Sequence, residues 1–328
     1  MAGRRQKKSG RRSYAWRYRG RIVACVFVEV IIICALVIMI GWNKGVKEWF
    51  EQFEQPVLKE VDISGINSPN AILMQARGGK ILGEINGEAQ IYPASMTKIM
   101  TVILGIENFD DLDEKITLTN EMFTGLYEQD ATQAGFQPGE EVRVIDLLYG
   151  AMLPSGAECC IALADTISGS EADFAELMNK KARKLGMENT HFCDSTGLHN
   201  PDHYSTVKDI AVLMKYCIKN DTFREIVETS RHSTGVTNIH PDGITYYSTM
   251  FKNLSDPTVT GGKILGGKTG YTSEAGHCLV SFAEIEGREY IFVSAGASGA
   301  EGNTIPHIQD AVTVYNRVGA AIEAKMNN

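Results

Sequence analysis

A run of 21 consecutive residues near the amino terminus, 22–42, is almost entirely apolar and carries a single charge, Glu29. A helix of that length spans about 30 Å, which is the hydrocarbon thickness of a bilayer. The run is longer than the apolar part of a cleaved signal peptide, and no small-residue cleavage site follows it. The sequence therefore predicts an uncleaved transmembrane signal anchor at residues 22–42.

Charge is divided unevenly along the chain. The net charge is −8 overall, but residues 1–21 contain nine of the 32 Lys and Arg residues and no acid. An excess of cations on one side of a membrane span keeps that side in the cytoplasm. We therefore expect a cytoplasmic basic head at 1–21 and an extracytoplasmic segment from 43 onward, in the cell membrane. Topology explains these cations, so we do not expect a nucleic-acid partner.

The exported part has the composition of a globular protein. The whole chain is 44% hydrophobic and 22% charged, which excludes a disordered chain or a disulfide scaffold. Residues 43–60 are predicted to be a polar stalk and residues 61–326 one folded domain. Residues 71–75 open a hairpin, and 278–285 and 290–295 form another. Apolar periodicity predicts helices between them, including one at 142–153 and one capped by Thr206, and a last helix at 308–322. This order favours an α+β fold in which the two ends meet in one sheet around a helical insert.

Seven cysteines are present, two of them, Cys25 and Cys34, within the apolar run. The other five have apolar neighbours, and we interpret them as small core residues, although the sequence leaves their disulfide status open. They are Cys159, Cys160, Cys193, Cys217 and Cys278.

One polar cluster is a candidate metal site because it combines three histidines and a cysteine, His191, Cys193, His199 and His203. Its spacing does not match a zinc pattern and the stretch is rich in turn residues, so no metal and no cofactor are predicted.

Ser95 and Lys98 form a Ser-x-x-Lys motif at the start of a predicted helix. Residues three apart share a helix face, with Cβ atoms about 5–6 Å apart, so Lys98 can reach the Ser95 hydroxyl. A lysine whose pKa is lowered by burial can take the proton of a serine and make it a nucleophile. Alone the motif is weak, because a capping serine and a solvated lysine give the same spacing.

Two further motifs follow in order. Ser155 lies in Pro-Ser-Gly-Ala at a predicted turn between two helices, and residues 266–270 read Gly-Gly-Lys-Thr-Gly just before a strand pair. A lysine and a threonine on an edge strand can present a cation and a hydroxyl to a carboxylate, while the glycines permit close backbone approach.

Residues 262–269 also satisfy the phosphate-binding pattern G-x-x-x-x-G-K-[ST]. Such a loop must follow a buried strand and open a helix. Here a polar segment precedes it and a β-rich hairpin follows it, so we treat the match to an ATP-binding protein as coincidence.

The three motifs together resemble those of penicillin-binding proteins, and their surroundings resemble the low-molecular-weight D-alanyl-D-alanine carboxypeptidases of peptidase family S11. The similarity covers about residues 62–323. The matching stretches are PASMTKIMT (93–101), LLYGAMLPSGAE (147–158), LGMENTHFCDSTGLHNPDHYSTVKDIA (185–211) and GGKTGYTSEAGHCLV (266–280).

This resemblance implies the β-lactamase/transpeptidase-like fold, with a five-stranded antiparallel sheet, flanking helices and a mostly helical lobe. It implies that Ser95 is the acylated nucleophile, Lys98 its base and Ser155 a proton relay. It also implies binding of a terminal carboxylate by Lys268 and Thr269 beside Gly270. The backbone N–H groups of Ser95 and Tyr271 would form the oxyanion hole.

The implied activity is removal of the terminal D-alanine from peptidoglycan stem peptides, with β-lactams acylating the same serine.

One position departs from the family pattern, since Ala157 stands where the second motif usually ends in Asn; the adjacent Glu158 is a doubtful substitute. Two alternatives therefore stay open. One is a non-catalytic penicillin or peptidoglycan binder. The other is a β-lactamase, which needs a deacylating acid such as Glu171 or Glu188.

Overall fold

The computed structural model describes residues 58–299 and 305–327, which belong to one compact unit, Val57–Asn328. The predicted basic head, the transmembrane anchor and most of the stalk lie outside these ranges. Within them, no helix combines the length and the apolar character needed to cross a membrane.

The strands lie at both ends of the domain, with shorter ones between. In chain order they are β1 (Asn70–Gln75), β2 (Ile81–Ile85), β3 (Lys115–Thr117), β4 (Glu141–Arg143), β5 (Arg231–Ser233), β6 (Thr245–Tyr247), β7 (Thr258–Val259), β8 (Gly262–Thr272), β9 (Gly276–Ile285) and β10 (Arg288–Ala297). The main sheet is antiparallel, in the order β2-β1-β10-β9-β8-β7.

The expectation of five strands is wrong, because the sheet has six. The two-residue strand β7 pairs antiparallel with the beginning of β8, where Thr258 faces Lys263 and Val259 faces Gly262. Two residues are too few to show the alternating pattern by which a strand is recognised in sequence.

The α-helices lie mostly between β2 and β7. They are α1 (Lys98–Asn108), α2 (Val144–Met152), α3 (Ala157–Ser168), α4 (Glu171–Leu185), α5 (Val207–Cys217), α6 (Asp221–Glu228), α7 (Thr249–Asn253) and α8 (Pro306–Met326). Short 3₁₀ helices occur at Ala94–Thr97 and Glu121–Phe123. The pairs β3–β4 and β5–β6 form separate small sheets.

The two ends of the domain meet in the main sheet, as predicted. β1 pairs with β10, and alternate side chains of β10 point to opposite faces. Ile291 and Val293 are fully buried against the helical lobe, whereas Tyr290 and Phe292 are buried against α8. The sheet is therefore covered on both faces, which defines the α+β architecture.

Several helix ends follow the expected chemistry. The Thr206 side chain accepts a hydrogen bond from the backbone N–H of Asp209 and caps α5, as predicted. Gly186 ends α4 with φ of +79°, a conformation that glycine adopts without steric cost.

Two helix starts differ from the predictions. The helix expected from Ser95 begins with the 3₁₀ turn Ala94–Thr97, and α1 itself starts at Lys98. The helix expected from Val142 begins at Val144, because Glu141–Arg143 pairs with β3 as strand β4.

The five cysteines of the folded domain are free thiols. The interpretation as core residues is confirmed for the four that are fully buried, whereas Cys193 is half-buried. The buried ones are Cys159, Cys160, Cys217 and Cys278.

Candidate active site

The predicted contact between Ser95 and Lys98 is present. The Lys98 Nζ donates a hydrogen bond to Ser95 Oγ at 3.0 Å and another to the carbonyl oxygen of Thr196 at 2.7 Å. Ser95 lies within the 3₁₀ turn and Lys98 opens α1, so the two meet across the junction.

Lys98 is 4% exposed. Burial lowers the pKa of its amine, because removal from water disfavours the charged form; nearby acids, including Asp194 and Glu158, oppose this effect. A larger fraction of Lys98 is therefore neutral at a given pH than for a lysine on the surface. The neutral amine can accept the proton of the hydroxyl it contacts.

A second serine–lysine pair comes from distant parts of the chain. The Lys268 Nζ donates to Ser155 Oγ at 2.9 Å and to the Thr269 carbonyl oxygen at 2.8 Å. Lys268 is 1% exposed. Burial lowers the pKa of its amine well below the usual value, and the charge of Lys98 lowers that pKa further.

The backbone is strained beside both serines. Ser155 itself has φ of +73°, and Ala94, which precedes Ser95, has φ of +46°. Residues other than glycine enter this region at a cost of about 1–3 kcal/mol, and they do so mostly at functional sites. The turn at Ser155 presents its hydroxyl to Lys268.

The Gly-Gly-Lys-Thr-Gly segment lies in β8, next to the 3₁₀ turn that carries Ser95. A Cβ at Gly270 would lie 3.0 Å from the backbone nitrogen of Ser95 and 3.1 Å from Ala94 Cβ. Glycine is required here because the protein's own chain approaches closely, in addition to any approach by a ligand. Because Gly270 contacts the turn at Ser95, the next residue of β8, Tyr271, also lies close to Ser95.

Thr269 is oriented by a neighbouring helix. Its hydroxyl lies 2.7 Å from the hydroxyl of Thr249, the first residue of α7. The four residues expected at the third motif therefore lie close to Ser95 and Lys98, whereas Thr249 was not anticipated. They are Lys268, Thr269, Gly270 and Tyr271.

The loop after α4 supports Lys98, and its role was missed at the level of single residues. Asp194 Oδ1 accepts hydrogen bonds from the N–H groups of Thr196 and Gly197, each at 2.7 Å, and from the Thr196 hydroxyl. Its Oδ2 lies 3.1 Å from His203 Nδ1. These bonds fix the Thr196 carbonyl that receives Lys98. The only sequence signal was the family resemblance of residues 185–211.

Burial alone would raise the pKa of Asp194, but the hydrogen bond and charge of His203 and the donors of Thr196 hold it at about 2. Asp194 is therefore an anion at neutral pH. Its charge lies close enough to favour the protonated form of Lys98.

The four residues weighed as metal ligands have other contacts. His203 Nε2 lies 2.9 Å from the Thr97 hydroxyl, and His199 stacks edge-on against Tyr92 at 4.7 Å. Across residues 58–299 and 305–327, no three His, Cys, Asp or Glu side chains are grouped so that they could hold a metal ion.

An open cleft of about 510 Å³ joins these groups. Its lining residues come from the 3₁₀ turn, the second-motif turn, α7, β8, β9 and the start of α8. They are Ser95, Asp130, Thr132, Pro154, Ser155, Thr249, Asn253, Thr269, Gly270, Tyr271, His277, Ile305 and His307. The cleft therefore brings Ser95 and residues of the second and third motifs to one surface.

Ala157 is 1% exposed at the first position of α3. Glu158 does not replace the missing amide, because its Oε1 accepts hydrogen bonds from the N–H groups of Ala134 at 2.6 Å and Gly135 at 2.9 Å. Its carboxylate holds the loop that carries Asp130 and Thr132 to the cleft.

The acids weighed for a β-lactamase are not in the cleft lining. Glu171 Oε1 accepts a hydrogen bond from the Ser195 hydroxyl at 2.5 Å, and Glu188 is exposed. The phosphate-binding pattern lies within the extended strand β8, which offers no helix N-terminus to a nucleotide.

A half-buried serine with a buried amine within hydrogen-bond distance, and a second serine–lysine pair beside it, define a site built for acyl transfer to serine. The family model for D-alanyl-D-alanine carboxypeptidase, peptidase S11, matches residues 57–299. The chain belongs to this family.

The chain is also similar to curated proteins that are named D-alanyl-D-alanine carboxypeptidases. The chain is 35% identical over 233 residues to the D-alanyl-D-alanine carboxypeptidase DacF of Bacillus subtilis, covering 70% of this chain and 57% of DacF. It is 35% identical over 236 residues to the D-alanyl-D-alanine carboxypeptidase of Streptomyces sp. strain K15, covering 70% of this chain and 78% of that protein. The chain spans about three fifths of the length of several relatives, including 58% of DacC of Escherichia coli.

Solved structures show the same fold. The DD-transpeptidase of Streptomyces K15 superposes with a TM-score of 0.69 at 30% identity, covering 80% of this chain and all of that chain. A D-alanyl-D-alanine carboxypeptidase from Mycobacterium tuberculosis superposes with a TM-score of 0.70 at 22% identity, covering 81% and 96%. The expected transpeptidase-like fold is confirmed apart from the strand number.

Proposed function

We propose that this protein is a serine D,D-carboxypeptidase that removes the terminal D-alanine from peptidoglycan stem peptides. The observation that carries the proposal is the 3.0 Å hydrogen bond from the buried amine of Lys98 to Ser95 Oγ, at a cleft that Ser95 shares with Ser155 and Thr269. Membership of the D-alanyl-D-alanine carboxypeptidase family supplies the substrate class.

Acylation begins when neutral Lys98 accepts the proton of the Ser95 hydroxyl. Ser95 Oγ then attacks the carbonyl carbon of the penultimate D-alanine. The developing oxyanion is stabilised by the backbone N–H groups of Ser95 and Tyr271, which are fixed before the reaction begins.

Collapse of the tetrahedral intermediate breaks the peptide bond and releases D-alanine. Its nitrogen takes a proton from the Ser155 hydroxyl, and Ser155 regains one from Lys98, which returns to its neutral form; Ser155 Oγ lies 2.9 Å from Lys268 Nζ. Water then attacks the ester on Ser95, with Lys98 accepting a proton from it. Lys98 returns this proton to Ser95 Oγ as the ester bond breaks, and the shortened peptide leaves.

The substrate's free carboxylate is held at the Lys268–Thr269 end of the cleft. The Thr269 hydroxyl, oriented by Thr249, donates a hydrogen bond to it. Lys268, whose amine contacts Ser155 and the Thr269 carbonyl, contributes positive potential when it is protonated. β-Lactams enter the same cleft and acylate Ser95.

Residues 22–42 anchor the domain in the cell membrane, with residues 1–21 in the cytoplasm and the catalytic domain outside. The length of the apolar run and the nine cations before it support this topology. In spheroplasts, external protease should cut the catalytic domain and spare an amino-terminal tag. A chain extracted by alkaline carbonate, or a protected domain, would contradict the anchor.

The activity is tested by incubating the full-length protein with an N-acylated peptide ending in D-Ala-D-Ala and with a fluorescent penicillin. We expect D-alanine release and covalent labelling, both lost in Ser95→Ala and retained in Ser273→Ala, which changes an exposed serine.

The alternatives predict other results. Labelling without D-alanine release would favour a penicillin-binding protein without turnover, an outcome motivated by Ala157. Rapid hydrolysis of penicillin would favour a β-lactamase. Absence of labelling would refute acylation of Ser95.

A further inference from the structure

Three rings from three different elements form a continuous stack along one wall of the cleft. Tyr271 of β8 lies against His277 of β9, with ring centroids 4.7 Å apart. His277 lies against His307 of α8 at 5.0 Å, with the two imidazole planes 9° from parallel. All three residues line the cleft that contains Ser95.

The stack lies on the side of β8 that carries Thr269. Residues two apart on a strand point to the same face, so Thr269 and Tyr271 share a face, and Tyr271 is paired with His277 across the sheet. Thr269, Tyr271, His277 and His307 therefore form one continuous wall of the cleft.

This wall lacks an exposed cation. None of the described residues that line the cleft is Lys or Arg, and the acidic residue among them is Asp130. Lys268 is 1% exposed, and its amine already donates to Ser155 and to the Thr269 carbonyl. At this wall a substrate carboxylate would therefore meet the Thr269 and Thr249 hydroxyls and the imidazoles, and no cation.

His307 has unused hydrogen-bonding capacity. It is 3% exposed, and its Nδ1 is buried without a hydrogen-bond partner in the described part of the chain. A buried polar atom left without a partner costs about 1–3 kcal/mol. Because Nδ1 is buried, the part of the imidazole that a ligand can reach is the part that lines the cleft.

We propose that His307, held by its stacking on His277, binds the terminal carboxylate of the peptide substrate beside Thr269. This inference rests on the proposed function and assigns a specificity-determining residue to it. The imidazole donates one N–H to a carboxylate oxygen, and Thr269 donates its hydroxyl to the other.

The electrostatics of His307 are compatible with this role. Burial and the neighbouring His277 lower the pKa of His307 to about 4, whereas Asp310 on the same helix acts to raise it. Asp310 is itself held by Asn67 and Ser68, which donate to both of its oxygens. His307 is thus neutral in the free protein at pH 7, and a neutral imidazole still has one N–H to donate.

The test pairs two substrates with two variants of the full-length protein. The substrates are an N-acylated peptide ending in D-Ala-D-Ala with a free carboxylate and the same peptide with a terminal carboxamide. The variants are His307→Gln and a control, His191→Gln, which changes an exposed histidine outside the cleft lining. Acylation of Ser95 by p-nitrophenyl acetate, an ester without a carboxylate, reports whether the catalytic groups stay intact.

We expect His307→Gln to lower kcat/KM for the carboxylate peptide about tenfold, mainly through KM, because a hydrogen bond to a charged group is lost. The carboxamide peptide and the ester should be unaffected, and His191→Gln should match the wild type. An unchanged preference for the carboxylate over the carboxamide in His307→Gln would overturn the inference, as would an equal loss with all three reagents.

Failure of the proposed function gives a different pattern. If the wild type released D-alanine from neither peptide, the carboxypeptidase proposal would fail and this inference would fall with it. If the wild type is active and His307→Gln keeps its preference, only the inference fails.

Discussion

Lys98 and Lys268 are both buried in the folded domain, at 4% and 1% exposure. Lysine is almost never fully buried unless it is paired. Here each amine contacts a serine hydroxyl and a backbone carbonyl instead of a carboxylate. Neutral oxygen acceptors satisfy the amine without stabilising its charge as strongly as a carboxylate would. Burial lowers the pKa of each lysine, and for Lys98 this suits a base that must be neutral before it acts.

The first prediction at this scale concerns the pH dependence of acylation by penicillin. Because burial lowers the pKa of Lys98, its neutral fraction should rise at lower pH than for an exposed lysine. The acylation rate constant should therefore increase with pH and level off with a midpoint below about 10.4, the ordinary lysine value. Stopped-flow measurement of fluorescent penicillin binding over a pH series checks this.

Lys98→Arg provides the comparison, because a guanidinium stays protonated throughout the accessible range. It should slow acylation by about 10²–10⁴-fold, the usual contribution of a general base. A rate that is independent of pH in the wild type, or a variant that acylates normally, would show that Lys98 is not the base.

The second prediction concerns Asp194, whose pKa is held at about 2 in the folded protein against about 3.9 for an exposed aspartate. Since the folded-state value is depressed, the stabilisation is complete above the unfolded value and is lost as pH falls toward 2. Asp194→Asn should reduce the free energy of unfolding by about 2 kcal/mol at pH 7. Urea denaturation of both proteins at pH 7 and pH 3 measures the difference.

At pH 3 the gap between the two proteins should shrink. Asp242→Asn, at an exposed position, should differ little from the wild type at either pH. An equal loss of stability at both pH values would mean that Asp194 stabilises the loop through packing and not through its charge.

Local spacing explains which site residues were predictable. Ser95 and Lys98 are three apart, so elementary helix geometry brings them together. Asp194 and Thr196 reach Lys98 from about a hundred positions away, and His307 reaches His277 through the packing of α8. Such contacts depend on tertiary structure, which no short motif encodes.

At the scale of elements, the site is a junction between strand β8 and the 3₁₀ turn before α1. Gly270 allows the two backbones to meet, since a Cβ there would lie 3.0 Å from the Ser95 nitrogen. This contact aligns the nucleophile with the strand against which a peptide substrate would lie. The position of Ser95 relative to β8 thus depends on the absence of a side chain at Gly270.

Gly270→Ala should therefore slow acylation by penicillin about 10²-fold, because a displacement of about 1 Å between reacting groups can cost that much. Stability should change less, since the strand can shift outward at the cleft. Gly235→Ala is the control, because a Cβ there meets its nearest atom at 3.5 Å. Normal acylation in Gly270→Ala would refute the importance of the close approach.

Whether a helix or strand could be predicted depended on how strong its local sequence pattern is. Long apolar periods and the Thr206 cap were sufficient to predict α5, and the paired runs predicted β9 and β10. Strand β7, with two residues, and β4, which runs directly into α2, were not recognised. Their strand character comes from partners elsewhere in the chain.

At the scale of the whole molecule, the sheet is interrupted between β2 and β7 by a helical insert, and both serines of the site lie in that insert. Lys268 and Thr269 lie on the sheet. The cleft is therefore assembled from both parts, and each motif contributes only when the domain is folded. The order of the three motifs along the chain was informative because it reflects this architecture.

The proposed membrane anchor determines where the whole molecule acts. An extracytoplasmic domain tethered by residues 22–42 would meet peptidoglycan directly. The sequence arguments for the anchor, a 21-residue apolar run and a cationic head, are independent of the arguments for the active site.

The most direct test of the account is the intact mass of the full-length protein, quenched in acid during turnover of an N-acylated peptide ending in D-Ala-D-Ala. We predict an adduct equal to the peptide acyl group without its terminal D-alanine, mapped by proteolysis to Ser95 and absent in Ser95→Ala. Release of D-alanine with no adduct on Ser95, or release that persists in Ser95→Ala, would contradict the acyl-enzyme mechanism.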